Sequence, residues 1–337
     1  MRIKKLLAVA LSAVLAVSTF GYTSWAADKD GKNSSPKGFE FVTGYVASEL
    51  DGNTPAYEEN GMVRAAAVPT KYPSSVDDLI SKYPANGNQN PYGTCWAFSI
   101  LGLAEFDLVN DGDIDKNINL SELALAYYTY NFVTDPLGGT TGDIAKYYND
   151  HTTTSYLNRG GNYQYASRRF AQWVGAVESD VPYGDAHKTL DTSLDDKYAY
   201  SYKNAHLHNA YQINIKENTS AVKQAIVDHG AVGVMYGHID SFDNMAFNTS
   251  LQRYTYYDNS NAGGGHAVMM VGWDDNFSKD NFGAIKPAND GAWLIRNSWG
   301  NYCDYFWMSY DTFSLVNTAW VFDFEAEDGY DNNYQLD

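Results

Sequence analysis

Gln89 and Cys95 stand six positions apart in Gln89-Asn-Pro-Tyr-Gly-Thr-Cys95-Trp-Ala-Phe-Ser99, and together they could act on one carbonyl group. Asn86-Gly87, Asn88, Asn90-Pro91 and Gly93 exclude a helix before the cysteine. The apolar run from Trp96 predicts a buried helix that Asn110-Asp111-Gly112 stops. A thiol at a helix N-terminus feels the positive end of the helix dipole, which favours the nucleophilic thiolate. A glutamine amide beside it can donate to a developing oxyanion. These are the parts that begin a covalent acyl transfer.

A cysteine nucleophile needs a base, and the base needs a group that orients it. Gly263-Gly-Gly-His266-Ala-Val-Met-Met-Val-Gly-Trp273 sets a histidine at the head of an apolar strand, after glycines that permit close backbone approach. Ala292-Trp-Leu-Ile-Arg-Asn297-Ser-Trp299-Gly300 ends a second apolar strand on an asparagine. Cys95, His266 and Asn297 are the parts of a thiolate–imidazolium pair whose ring an amide holds.

Gln-x5-Cys-Trp-Ala-Phe-Ser, Gly-His-Ala-Val…Val-Gly-Trp and Asn-Ser-Trp-Gly resemble the motifs of papain-like cysteine peptidases. Three further stretches resemble the family in the same order: Asn119-Leu-Ser-Glu122, Arg159-Gly160-Gly161-Asn-Tyr, and Glu178-Ser-Asp-Val-Pro-Tyr183. The resemblance covers roughly residues 67 to 325. It implies an α+β fold of two lobes, a helical left lobe and a strand-rich right lobe, with the active site in the cleft between them. It also implies that Gly160 and Gly161 bind substrate backbone and that Trp299 shields the His266–Asn297 hydrogen bond. Some features depart from the family. Tyr92 stands where many members carry a disulfide cysteine, Thr94 replaces a serine, and Asn301-Tyr-Cys-Asp lacks a second Trp-Gly pair. The interval from Cys95 to His266 exceeds the roughly 130–150 residues usual in the family, so insertions are expected near 133–153 and 241–263.

Taken singly, each residue has a plain packing reading. A cysteine on an apolar helix is commonly a small buried hydrophobe, a strand histidine can be packed, and a large aromatic buries well anywhere. The combination in one order outweighs those readings for Cys95, His266, Asn297 and Gln89. Cys303 is assigned to packing or an incidental thiol.

Met1-Arg-Ile-Lys-Lys5, an apolar run to about Phe20 and Ser24-Trp-Ala-Ala27 describe a secretory signal peptide, with cleavage after Ala26. No later run approaches about 20 apolar residues, so no membrane span is expected in the mature chain. The protein is expected to be secreted, and either free or held at the cell surface by another component. Loss of Arg2, Lys4 and Lys5 makes the mature chain more acidic than the −18 of the full sequence. Such acidity disfavours nucleic acid and anionic lipid as partners. With only two cysteines, one of them the nucleophile, no structural disulfide is expected, and export without disulfides fits a bacterial route.

The expected organisation is a signal peptide at 1–26, a pro-segment or linker at 27–67, the peptidase domain at 68–325, and a linker-like tail at 326–337. Helices are expected at 75–83, 95–109, 121–130, 143–149, 165–175 and 220–228. Strands are expected at 205–215, 231–236, 266–273, 293–296 and 307–310. Helices first and strands later describe two lobes. In 27–67, Phe39, Phe41, Tyr45 and Tyr57 could lay an extended strand through the cleft, with processing at 62–67. Asp111, Asp113, Asp115 and Glu122 follow calcium-loop spacing, but Lys116 occupies the glycine position of such a loop. His206 and His208 alternate onto one strand face without zinc-like companions. No metal or cofactor is assigned. The expected activity is peptide-bond hydrolysis by a monomer acting on proteins or peptides. A cell-wall amidase and a silent binding module on the same fold are the rivals.

Overall fold

The computed structural model describes residues 43–48, 68–131, 133, 156–175, 179–185, 194–200, 205–261 and 263–326. Several expectations lie outside these residues: the signal peptide, Phe39, Phe41 and Tyr57, the 62–67 processing stretch, the helix at 143–149, and all but the first residue of the tail.

The frame is one long buried helix laid against a nine-stranded sheet. Helix α1 (Val76–Lys82) starts on a capping box in which Ser75 and Asp78 satisfy each other's exposed amides. Helix α2 (Cys95–Asp111) is buried on every side from Cys95 to Leu108, which explains its lack of an amphipathic period. Gly112, at φ 81°, ends it with an N–H bonded to the carbonyls of Leu108 and Val109. Helices α3 (Glu122–Tyr130) and α4 (Tyr163–Ala171) start on Ser121 and Asn162, whose side chains accept from Ala124 and Tyr165. Helix α5 (Thr219–His229) lies between the first two strands of the right lobe.

The strands are β1 (Lys71–Tyr72), β2 (His206–Asn214), β3 (Val232–His238), β4 (Met245–Asn248), β5 (Arg253–Tyr256), β6 (Gly264–Asp274), β7 (Ala292–Trp299), β8 (Cys303–Ser309) and β9 (Thr318–Glu325). Their order is β2-β9-β3-β6-β7-β8-β5-β4, with β1 on the end of β6. Every pairing is antiparallel except β5 with β8. Strand β6 is apolar on both faces because both are covered. Ala267, Met269 and Val271 join the core of α2 and α3, while Val268 and Met270 join a second core with Val222 and Ile226 of α5. This is the expected α+β, two-lobed arrangement.

The sequence reading treated 241–263 as an insertion, and the structure builds the β4–β5 hairpin there. It also missed β9, whose partners β2 and β3 lie far back in the chain. The histidine expectation on β2 fails as well. A register shift between Leu207 and Asn209 breaks the alternation, so His206 is buried against the Trp173 ring while His208 is exposed beside Asp323 and Glu325.

Candidate active site

Cys95 is the first residue of α2 and is fully buried. Its sulfur accepts the Ala267 amide at 3.5 Å. Burial pushes the thiol up to about 11, and the amides of Ala267, Gly44, Trp96 and Cys95 itself pull the other way. Ala267 follows His266 on β6, so the histidine's own strand carries one of the amides facing the sulfur.

His266 Nε2 and Asn297 Oδ1 lie 2.8 Å apart. A carbonyl oxygen only accepts, so Nε2 carries the proton. The Ser298 amide also donates to that oxygen, at 2.9 Å, which fixes the orientation of the Asn297 side chain. The ring lies flat on Trp299, with centroids 4.8 Å apart and 16° between planes. Burial drives the imidazole down to about 4, and the Asn297 bond opposes that fall. Nδ1, the other ring nitrogen, is buried with no hydrogen-bond partner among the described residues. It is therefore the ring atom available for proton transfer.

Gln89 is fully buried in the loop before α2. Its Nε2 donates to the Tyr92 carbonyl at 3.0 Å, and its Oε1 accepts from Ser298 Oγ at 2.6 Å. Its amide donates to the Ser298 carbonyl at 2.9 Å. Ser298 thus ties Gln89 to the same turn that holds Asn297.

Gly160 and Gly161 line the left wall, and residues 43–48 occupy the space between the walls. The Gly161 amide donates to the Gly44 carbonyl at 3.0 Å and the Gly161 carbonyl accepts from Val46 at 2.9 Å, a parallel pairing centred on Tyr45. From the opposite wall the Gly265 carbonyl accepts the Tyr45 amide at 2.9 Å. A Cβ on Gly160, at φ 75°, would lie 2.3 Å from the Gly44 oxygen, and one on Gly161 would meet the Trp96 ring at 2.3 Å. The Tyr45 ring is buried, 5.7 Å from the Tyr163 ring.

The structure thus brings Cys95, His266, Asn297, Gln89, Gly160, Gly161 and Trp299 to one cleft. Cys303 is buried nearby; burial pushes its thiol up against the opposing Asn297 side chain, and both cysteines are free. Sequence reasoning missed Ser298 as the anchor of Gln89, although it sits inside the quoted Asn-Ser-Trp-Gly. It also missed His238, buried 6.2 Å from His266 and 5.0 Å from Trp299. No spacing signal marks that strand-end histidine.

The suspected calcium loop does not converge: Lys116 bonds the Ser81 carbonyl, the Asp115 carboxylate is engaged with Asn117, and Glu122 is buried at the start of α3. Among the described residues, the group whose ligand atoms lie within 4.8 Å of one another is Asp107, His229 and Asp323. In that group His229 bonds Asp107 at 2.8 Å, and Asp107 also accepts the Phe324 amide at 2.5 Å.

Residues 73–316 match the model of the papain family cysteine proteases. A cysteine protease of Blomia tropicalis is 27% identical over 216 residues, which are 63% of this chain and 52% of that protein. Among solved structures, the cysteine protease and lectin-like domains of Cwp84, a surface layer associated protein of Clostridium difficile, are 25% identical with a TM-score of 0.63. The match covers 81% of this chain and 55% of that one. Xylellain, a cysteine protease from Xylella fastidiosa, shares the fold at a TM-score of 0.52 and 18% identity, over 83% of this chain and 95% of its own. The chain spans about half the length of the first two relatives. With the family match over most of the chain and the cleft geometry in agreement, this chain belongs to the papain family of cysteine proteases.

Proposed function

We propose that this chain is an exported cysteine peptidase that hydrolyses peptide bonds through an acyl-enzyme and is held inactive by its own residues 43–48. The observation that carries the reading is the Cys95 sulfur held by the amide of Ala267, the residue next to a His266 that is itself bonded to Asn297, with the Gly44 amide also facing the sulfur.

His266 Nδ1 takes the Cys95 proton, and the thiolate attacks the substrate carbonyl. The Cys95 amide and the Gln89 side chain stabilise the oxyanion. As the carbon–nitrogen bond breaks, the imidazolium returns its proton to the leaving amine. His266 then takes a proton from water, the hydroxide attacks the thioester, and the carboxylic acid leaves as the thiol reforms. Asn297 holds the ring through Nε2 and Trp299 covers that bond, so Nδ1 faces the reaction throughout.

Residues 44–46 use the Gly161 and Gly265 backbone groups that an extended substrate would use. They run parallel to Gly161, and the Gly44 group that faces the sulfur is an amide rather than a scissile carbonyl. Chain segment 27–67 is therefore assigned as an inhibitory pro-segment that precedes the domain beginning near 68. The basic and apolar start of the sequence supports export. The likeness to a surface layer associated protein supports a place of action outside the cell, free or at the surface. No helix among the described residues is long and apolar enough to cross a membrane.

The test uses protein starting near residue 68, assayed against casein, a peptide library and purified peptidoglycan, with an electrophilic peptide to label the nucleophile. Cleavage of protein or peptide, with the label on Cys95, supports the reading. Release from peptidoglycan alone would instead favour a cell-wall amidase. Labelling without turnover would favour a silent binding module.

A further inference from the structure

Two segments must be held in register for a two-donor oxyanion site: the loop carrying Gln89 and the start of α2 carrying the Cys95 amide. Ser298 anchors the outer side of Gln89 through its hydroxyl and its carbonyl. On the Cys95 side the Gln89 carbonyl accepts the Tyr92 amide at 2.9 Å, and a second link comes from Tyr183, in a short turn (Tyr183–Asp185) packed against the core that contains α2. Its hydroxyl lies 2.7 Å from the Gln89 carbonyl and 2.6 Å from Thr94 Oγ1. The carbonyl has no proton to give, so Tyr183 donates to Gln89 and Thr94 donates to Tyr183. Thr94 immediately precedes Cys95. One hydroxyl therefore bridges the main chain of the residue bearing one proposed donor and the side chain next to the other.

The ring is fixed by its neighbours. Phe98 meets it edge-on at 4.8 Å and Tyr92 at 6.4 Å. Burial keeps the hydroxyl protonated well past its usual range, so the bridge is intact at any working pH. Thr94 is fully buried and makes no side-chain cap on α2, which leaves its hydroxyl committed to the bridge.

We propose that Tyr183 is a positioning residue that sets the separation of the two oxyanion donors by clamping Gln89 to Thr94. The proposal rests on the peptidase reading above. Oxyanion donors act through their placement at the developing charge, so loosening the clamp weakens the transition state more than the bound substrate.

The test is a double-mutant cycle in protein lacking the pro-segment, with kcat counted per titrated active site. Tyr183→Phe keeps the ring and its packing and removes only the hydroxyl. It is expected to lower kcat about tenfold, with KM changed less than twofold, because one donor is displaced rather than lost. Binding of a peptide aldehyde, whose adduct needs the oxyanion site, is expected to weaken in step with kcat. In a Gln89→Ala background the same substitution is expected to change kcat less than twofold. Thr94→Val should mimic Tyr183→Phe, and Thr94→Ser should retain full activity. Equal losses from Tyr183→Phe in both backgrounds, or an unchanged kcat in folded Tyr183→Phe and Thr94→Val proteins, would overturn the proposal. Those failures stay distinct from failure of the peptidase reading, which would appear as no peptide turnover by the parent protein or as turnover surviving Cys95→Ala.

Discussion

Gly44→Ala is expected to open the cleft without touching the residues that do chemistry. A Cβ at Gly44 would lie 1.8 Å from the Gly93 carbonyl oxygen and 2.5 Å from the Gly93 Cα, all backbone on a loop pinned beside Cys95. Neither segment can yield by rotating a side chain, so the 43–48 strand must lift. Lifting breaks the bonds Gly161 N to Gly44 O, Val46 N to Gly161 O and Tyr45 N to Gly265 O, each worth about 1 kcal/mol net. It also exposes the Tyr45 ring, at a cost of about 2 kcal/mol. Losing half of that total is about 2 to 3 kcal/mol, or roughly 30- to 150-fold in the population of open cleft. The assay is the alkylation rate of Cys95 by iodoacetamide in protein that keeps residues 27–67 with processing blocked. Gly175→Ala serves as control, because a Cβ there meets nothing within 4 Å. Gly44→Ala should label at least thirtyfold faster than the parent, and Gly175→Ala at the parental rate. Parental labelling in Gly44→Ala, alongside fast labelling of protein starting near residue 68, would refute the steric argument. Equally fast labelling of all of them would show that 43–48 does not guard the thiol.

Cys95→Ala should abolish peptide hydrolysis with an unchanged unfolding midpoint, and peptide mapping after electrophile treatment should find no label on Cys303, which is buried with its thiol pushed up. Gln89→Ala should lower kcat by roughly 10²–10³, the size of one lost oxyanion donor, and steady-state kinetics showing less than a threefold change would exclude that role. The depressed His266 sets a sign for stability: between the free value of 6.5 and about 4 the folded chain binds fewer protons than the unfolded one, so stability falls as pH falls through that window. Urea unfolding at pH 6.5 and 4 should show the parent losing more than His266→Gln, by up to about 3 kcal/mol, and parallel losses would contradict it.

The candidate site was legible where a proposed role admits few residue types. A covalent nucleophile, its base, the amide that orients the base and the oxyanion amide each need a particular side chain, so Cys95, His266, Asn297 and Gln89 stand out in order along the chain. The elements around them were legible for a related reason. Gly112 and Ser121 mark helix ends by local backbone chemistry, and β6 shows as an apolar run because both of its faces are covered. Residues defined by distant partners left no such mark. Gly44 sits in a glycine-rich tract, and its necessity arises only from the Gly93 carbonyl across the cleft. Tyr183 belongs to a quoted stretch, yet nothing local says that its hydroxyl reaches back to Gln89 and Thr94. His208 was assigned to the wrong face because a bulge depends on the register with β9, not on the residues of β2 alone.

The same burial that makes the site compact also works against its chemistry in the occupied cleft. Desolvation raises the Cys95 thiol to about 11 and lowers His266 to about 4, so the pair rests as neutral thiol and neutral imidazole between those values. A thiolate–imidazolium pair has no net charge change relative to that resting state, and its formation depends on the polarity of the surroundings rather than on bulk pH. Gly44 supplies one of the amides that favour the thiolate, but the burial of the sulfur outweighs them. On the proposed reading, removal of residues 43–48 does two things at once: it clears the backbone groups of Gly161 and Gly265 for substrate, and it admits the solvent that lets the nucleophile ionise.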